Sequence, residues 1–181
     1  AKDKLDWQLG SLKKRGFNFI TFKDLAKGAR VAKPIILTFD DGYEDNYSNL
    51  LPLLKKHQAK AVIYCLGDST VQSNIWDEKL GEPRANLMSD SQIKECHESG
   101  LVEIASHGLK HQHLSSLNDK EAREEFELSK SNLESLINNK VISFAYPYGD
   151  YKKREEILAY EAGYDFAIGT VNGPLKLTDN Y

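Results

Sequence analysis

Two adjacent carboxylates, Asp40 and Asp41, follow the apolar run Ile35-Ile36-Leu37-Thr38-Phe39 and precede Gly42. Taken alone, Asp-Asp-Gly signals only a turn, because Asp tolerates tight turns and Gly supplies a positive φ. At the end of a buried strand the two carboxylates would repel unless a cation or a proton intervenes. His107 and His111 follow a second apolar run, Leu101 to Ala105. Their i, i+4 spacing sets two imidazoles on one side of a helical turn. Asp41, His107 and His111 together make a three-ligand set with a position open for water, on which a divalent ion would acidify the water and polarise a carbonyl. Asp40, beside the ligand Asp41, is then the natural general base. A third polar cluster, Pro147-Tyr148-Gly149, follows Val141 to Ala145. There Pro147 fixes the chain, Gly149 allows a close turn, and the Tyr148 N–H can face a developing oxyanion. His113 is expected to point away from the ligand set, and His57 and His97 read as surface positions on helices.

These clusters act together only if the fold brings them to one place. Strands are expected at Pro34 to Phe39, Ala59 to Leu66, Leu101 to Ala105, Val141 to Ala145 and Tyr164 to Ile168, alternating with helices at Tyr47 to His57, Ser89 to Ser99, Asp119 to Asn138 and Lys152 to Ala162. Such alternation predicts an α/β fold with a largely parallel sheet, and parallel strands deliver their ends to one face. In the longest helix Asn118 can cap, Glu121 stands three residues on, and Ala122, Phe126, Leu133, Leu136 and Ile137 fall near one face. At the start, Leu5, Leu9 and Leu12 read as a helix stopped at Gly16, with an extended segment running through Phe22. Asp68 to Asn86 has no clear period and reads as a surface insertion anchored by one aromatic, Trp76.

Composition narrows the function classes. With 181 residues, 40% hydrophobic and 28% charged, the chain can bury a core as one domain, 1–181. A net charge of -3 and scattered Lys and Arg give no electrostatic footprint for nucleic acid. No apolar run reaches the length of a transmembrane segment, and the first residues lack the apolar stretch of a signal peptide. That leaves a cytoplasmic chain or one whose targeting segment has been removed. Cys65 and Cys96 stand far apart in unrelated contexts and read as buried hydrophobes.

Thr38-Phe39-Asp40-Asp41-Gly42-Tyr43, Ser106-His107-Gly108-Leu109-Lys110-His111-Gln112-His113-Leu114 and Phe144-Ala145-Tyr146-Pro147-Tyr148-Gly149, in this order, resemble the first three motifs of the polysaccharide deacetylase family, carbohydrate esterase family 4 or the NodB-homology domain. The resemblance implies a distorted (β/α) barrel of about seven strands, a divalent metal, usually Zn2+, and hydrolysis of an acetamide on a sugar, with an N-acetylated oligosaccharide or polysaccharide as partner. It also implies an extracytoplasmic setting: secreted, cell-surface or periplasmic. Carried across by motif, Asp40 resembles the base, Asp41, His107 and His111 the metal ligands, and the Tyr148 N–H the oxyanion donor. The sequence departs from the family pattern at Ala145, where many members carry Arg, and at Gly108, where Ser or Thr is usual. It also lacks the family's late His after Tyr164. Leu5 to Leu25 resembles the leader of poly-N-acetylglucosamine deacetylases with a circularly permuted barrel, in which that His lies upstream, so a strand missing before Ala1 is expected. Removal of N-acetyl groups from an amino-sugar polysaccharide such as poly-β-1,6-N-acetylglucosamine is the leading expectation. An O-acetyl esterase on the same site, or a carbohydrate-binding domain with little turnover, are the alternatives.

Overall fold

The computed structural model describes residues 2–78 and 80–170. The expected alternation is present. Helix α1 (Lys2–Lys14) precedes β1 (Asn18–Phe19), α2 (Phe22–Ala26), β2 (Pro34–Ile35) and β3 (Thr38–Phe39). A π-helical turn, Asn46–Leu50, leads into α3 (Leu51–His57), then β4 (Ala61–Cys65), the single turn α4 (Ile75–Glu78), α5 (Asp90–Glu98) and β5 (Val102–Ser106). The described residues continue with α6 (Asp119–Ile137), β6 (Ser143–Ala145), α7 (Lys153–Glu161) and β7 (Phe166–Ile168).

The strands form a five-stranded parallel sheet in sequential order, β3-β4-β5-β6-β7, beside the parallel pair β1-β2. Together the two sheets place seven strands in a curled parallel half-barrel, as expected of a distorted (β/α) barrel. The single strand expected over Pro34 to Phe39 is divided. Its first half pairs with β1, through the Ile20 N–H to Ile35 O bond of 3.0 Å, and its second half with β4, through Val62 N–H to Leu37 O at 2.8 Å. One apolar run thus joins both sheets, a bend that periodicity alone does not reveal.

The interior strand β4 is buried at every position, and its alternation serves two cores. Ala61, Ile63 and Cys65 face the helix-covered side with Leu54, Ile93, Phe126 and Phe144. Val62 and Tyr64 face the concave side with Phe22, Ala105 and Ala145. On α6, Ala122, Phe126, Ser129, Leu133 and Ile137 make the buried stripe, and the capping box of Asn118 and Glu121 starts the helix where the sequence places it. Ser89 and Gln92 start α5 in the same way.

One helix departs from the sequence reading. The extended segment stops before Phe22, because Thr21 and Asp24 form a capping box that opens α2 and seats Phe22 at the concave core. Among the described residues, no helix is long and apolar enough to cross a membrane.

Candidate metal and catalytic site

Parallel order brings the ends of β3, β5 and β6 to one side of the sheet, and the three polar clusters meet there. Asp41, His107 and His111 each place one ligand atom within 4.8 Å of the others. His107 Nε2 is 3.4 Å, and His111 Nε2 3.1 Å, from Asp41 Oδ1. Atoms bound to one ion at about 2.0 Å in a tetrahedron stand about 3.3 Å apart, so the spacing suits a shared cation. Asp41 Oδ1 is buried without a hydrogen-bond partner, which a positive charge at this point would resolve. Burial opposes ionisation of Asp41, but the two imidazoles outweigh it and hold this carboxyl far below the usual range.

His107 prolongs β5: its N–H donates to Cys65 O at 2.8 Å. The ring is buried, and Nδ1 lies 2.8 Å from the Ala145 carbonyl, which can only accept, so Nδ1 donates there and Nε2 is the nitrogen facing Asp41. Ala145 thus takes part in the site through its backbone oxygen, which orients His107.

The expectation that His107 and His111 share a helical turn is wrong. The 107–113 segment is an irregular loop, because Gly108 at φ 82° and His111 at φ 56° leave the right-handed helical region. The loop is held from below by Glu125 of α6, whose Oε2 accepts from Leu109 N–H at 2.7 Å and Lys110 N–H at 3.1 Å. Gly67 N–H and Asp68 N–H donate to the carbonyls of Gly108 and Leu109 at 2.9 and 3.1 Å. A Cβ on Gly108 would lie 2.9 Å from Glu125 Oε2, so glycine stands here for the close approach of this carboxylate as well as for its φ. Burial raises the Glu125 carboxyl above the ordinary range, and the two N–H bonds only partly offset that.

Asp40, next to Asp41 in the chain, is exposed. Surrounding protein raises its carboxyl above the ordinary range, His107 opposes the rise, and Asp41 adds to it. Pro147 is buried and shapes the turn after β6, packing close to Gly108. Tyr148 takes φ 60°, and the turn's bonds run from Gly149 N–H to Tyr146 O (2.9 Å) and Asp150 N–H to Pro147 O (3.1 Å), so neither uses the Tyr148 N–H. Asp41, His111 and Tyr148 are therefore three non-glycine residues in the left-handed region, where L-residues carry strain.

His113 lies outside the cluster, as expected. Its ring stacks on Tyr148 at 3.8 Å, and Nδ1 is 3.6 Å from Asp150 Oδ2. Two contributors escaped the sequence reading. Glu125 was signalled by an acid three residues after Ala122, inside the buried stripe of α6. Trp76, expected only as an anchor, lies face to face with His111, ring centroids 4.1 Å apart. A cleft of about 470 Å³ reaches Asp41 past Cys65, Asp68, Lys94 and Asn132.

The polysaccharide deacetylase family model matches residues 27–167. YxkH of Bacillus subtilis strain 168, which carries the name polysaccharide deacetylase, is 30% identical over 141 residues, 78% of this chain and 46% of that protein. The poly-beta-1,6-N-acetyl-D-glucosamine N-deacetylase of Staphylococcus aureus strain MRSA252 is 24% identical over 167 residues, 90% of this chain and 53% of that one. The chain thus spans about half the length of these curated relatives. Among solved structures, the Streptococcus pyogenes deacetylase PplD in complex with acetate superposes with a TM-score of 0.80 at 27% identity, covering 95% of this chain and 74% of that one.

Proposed function

Since this chain belongs to the polysaccharide deacetylase family, we propose that it is a metal-dependent N-deacetylase of an amino-sugar polysaccharide, with poly-β-1,6-N-acetylglucosamine as substrate. The observation that carries the reading is the convergence of Asp41, His107 and His111 on one point at the strand ends. Two imidazoles and one carboxylate suit zinc, and the buried, unpartnered Asp41 oxygen fits a bound cation. Asp41, His107 and His111 would hold the divalent ion, which would supply an acidified water and polarise the acetyl carbonyl. Asp40 takes the proton of the attacking water, and its raised carboxyl pKa favours that role. That proton is then at hand for the departing amine, which cannot leave as an anion. The Tyr148 N–H, outside the turn's own bonds, donates to the developing oxyanion, and Pro147 holds the turn in place. The acetate bound to PplD is the small product such a reaction releases. Polymers of this class are met outside the cytoplasm, so the proposed setting is extracytoplasmic.

The test is acetate release from β-1,6-linked N-acetylglucosamine oligomers, from β-1,4-linked ones and from acetylated xylan, in zinc and after chelation. The reading expects release from the β-1,6 oligomers, lost on chelation and regained with zinc. Release confined to the xylan would replace it with O-ester hydrolysis. Sugar binding without acetate release from any substrate would make the domain a carbohydrate binder.

A further inference from the structure

The two histidines of the cluster are oriented by different means. His107 has the usual arrangement for a metal-binding imidazole: one nitrogen faces Asp41 and the other meets a backbone carbonyl, here Ala145 O at 2.8 Å. His111 lacks that second partner. It is 7% exposed, its Nε2 faces Asp41, and its Nδ1 is buried with no hydrogen-bond partner among the described residues. Apart from the Asp41 carboxylate that Nε2 faces, nothing polar fixes the rotation of this ring, although its backbone sits in the strained left-handed region.

Besides the neighbouring His107 ring, with centroids 5.0 Å away, two aromatic side chains contact the His111 ring. The Trp76 indole stacks on it with centroids 4.1 Å apart and planes 23° from parallel. Tyr148 meets it at 4.5 Å and 63°, an edge-type contact. Trp76 is well placed to act as a fixed wall. Its helical turn α4 is tied by the Tyr43 hydroxyl donating to Asp77 at 3.1 Å, two residues beyond the ligand Asp41. The base of the same segment is fastened by the buried Asn74, whose amide donates to Pro83 O at 3.1 Å and accepts from Ala85 N–H at 2.7 Å. Ser73 bridges to Asn86, Glu44 N–H donates to Asn86 O at 2.9 Å, and Met88 N–H donates to Gly42 O at 2.8 Å. The segment carrying Trp76 is thereby bound to the turn that carries Asp41, and it presents the indole to His111.

We propose that Trp76 is a positioning residue for His111, its stacked indole fixing the imidazole whose Nδ1 has no partner to orient it. The inference rests on the metal reading given above. Removing the indole frees the ring to rotate about its side-chain torsions, and a ligand that must be ordered on binding holds its ion less tightly. Loss of groups that orient a ligand typically lowers metal affinity roughly 10–100-fold, and that range is expected for Trp76→Ala. A flat ring of smaller area preserves the stacked wall, so Trp76→Phe recovers most of the affinity.

The experiment is a zinc titration against a chromophoric chelator on the wild-type chain, Trp76→Ala, Trp76→Phe and His107→Ala, with thermal melts of each protein free of metal. The expected pattern is tight binding by the wild type, none by His107→Ala, a 10–100-fold loss in Trp76→Ala, and recovery in Trp76→Phe. The metal-free melts of both Trp76 variants should stay near wild type, which separates ring positioning from general loss of folding. If the wild type binds zinc and Trp76→Ala binds it equally well, the positioning role is overturned while the metal reading stands. An affinity loss in Trp76→Ala that Trp76→Phe does not recover overturns it too, as does a loss that tracks a lowered metal-free melt. A wild type that binds no zinc overturns the metal reading and this inference with it.

Discussion

Replacing Glu125 by Ala tests how the loop carrying His111 is held. The carboxylate is 3% exposed, and one oxygen accepts both the Leu109 and Lys110 N–H groups. Net values of about 1.5–3 kcal/mol for each hydrogen bond to a charged group would make the pair worth as much as about 6 kcal/mol. Two effects reduce that figure. Lys110 is exposed, so its N–H can turn to water once the acceptor is gone. The cost of burying the carboxylate, evident in its raised pKa, also disappears with the side chain. The expected loss in stability is therefore about 2 kcal/mol, close to one charge-assisted hydrogen bond. Glu125→Gln retains the acceptor oxygen and the volume, and should lose no more than about 1 kcal/mol. Urea denaturation of the metal-free proteins measures both numbers, and zinc titration of the same samples reads the loop, since His111 follows Lys110 directly. Stability and zinc affinity of Glu125→Ala both within about 0.5 kcal/mol of wild type would refute the argument that this acid shapes the loop.

The remaining predictions follow from the same geometry. Asp40→Asn should retain zinc and fold while losing roughly 10²–10⁴ in kcat, because an amide cannot accept the water proton; loss of zinc on titration would instead make Asp40 a ligand. Gly108→Ala should lower stability by about 1–2 kcal/mol in thermal or urea melts, since an L-residue at φ 82° is strained and its Cβ would meet Glu125 Oε2 at 2.9 Å. A carboxyl whose pKa is raised on folding stabilises the folded chain most below its unfolded value and loses that contribution as pH rises through the folded value. For Glu125 the window opens near the ordinary value of 4.5 and extends upward, so wild-type stability should fall relative to Glu125→Gln as pH rises through it. Urea melts of the two proteins from pH 4 upward check the sign, and a difference that moves the other way would show that the two N–H bonds outweigh burial.

Much of the site was legible in the sequence because its parts are local. Asp40-Asp41 and Pro147-Tyr148-Gly149 each sit within a few residues of a strand end, and a parallel sheet needs no further information to gather strand ends on one side. The capping box at Asn118 and Glu121 likewise marks a helix start by short-range chemistry. The same signal at Thr21 and Asp24 was there to be read, but the apolar run through Phe22 favoured an extended segment. The loop after β5 was misread for a different reason. Spacing of i, i+4 is shared by helices and by loops, and the positive φ values of Gly108 and His111 decide between them. The loop between those two residues is held by Glu125, 16 residues beyond Leu109, reaching back to its N–H groups, a contact that spacing does not encode. The stacking of Trp76 on His111 is equally beyond sequence periodicity, because it depends on how the 68–86 segment folds back on the turn after β3.

The left-handed residues at the site set stability and chemistry against each other during optimisation. Glycine would relieve the backbone at Asp41, His111 or Tyr148, and a left-handed conformation costs an L-residue about 1–2 kcal/mol. A library screened only for heat resistance would therefore reward Gly at these positions, discarding two proposed ligands and the ring that borders them. Gln58 and Asn138, in the same backbone region at helix ends, offer a similar relief with no such loss. Any effort to harden this fold gains by confining its glycines to those caps and leaving the three site positions unvaried.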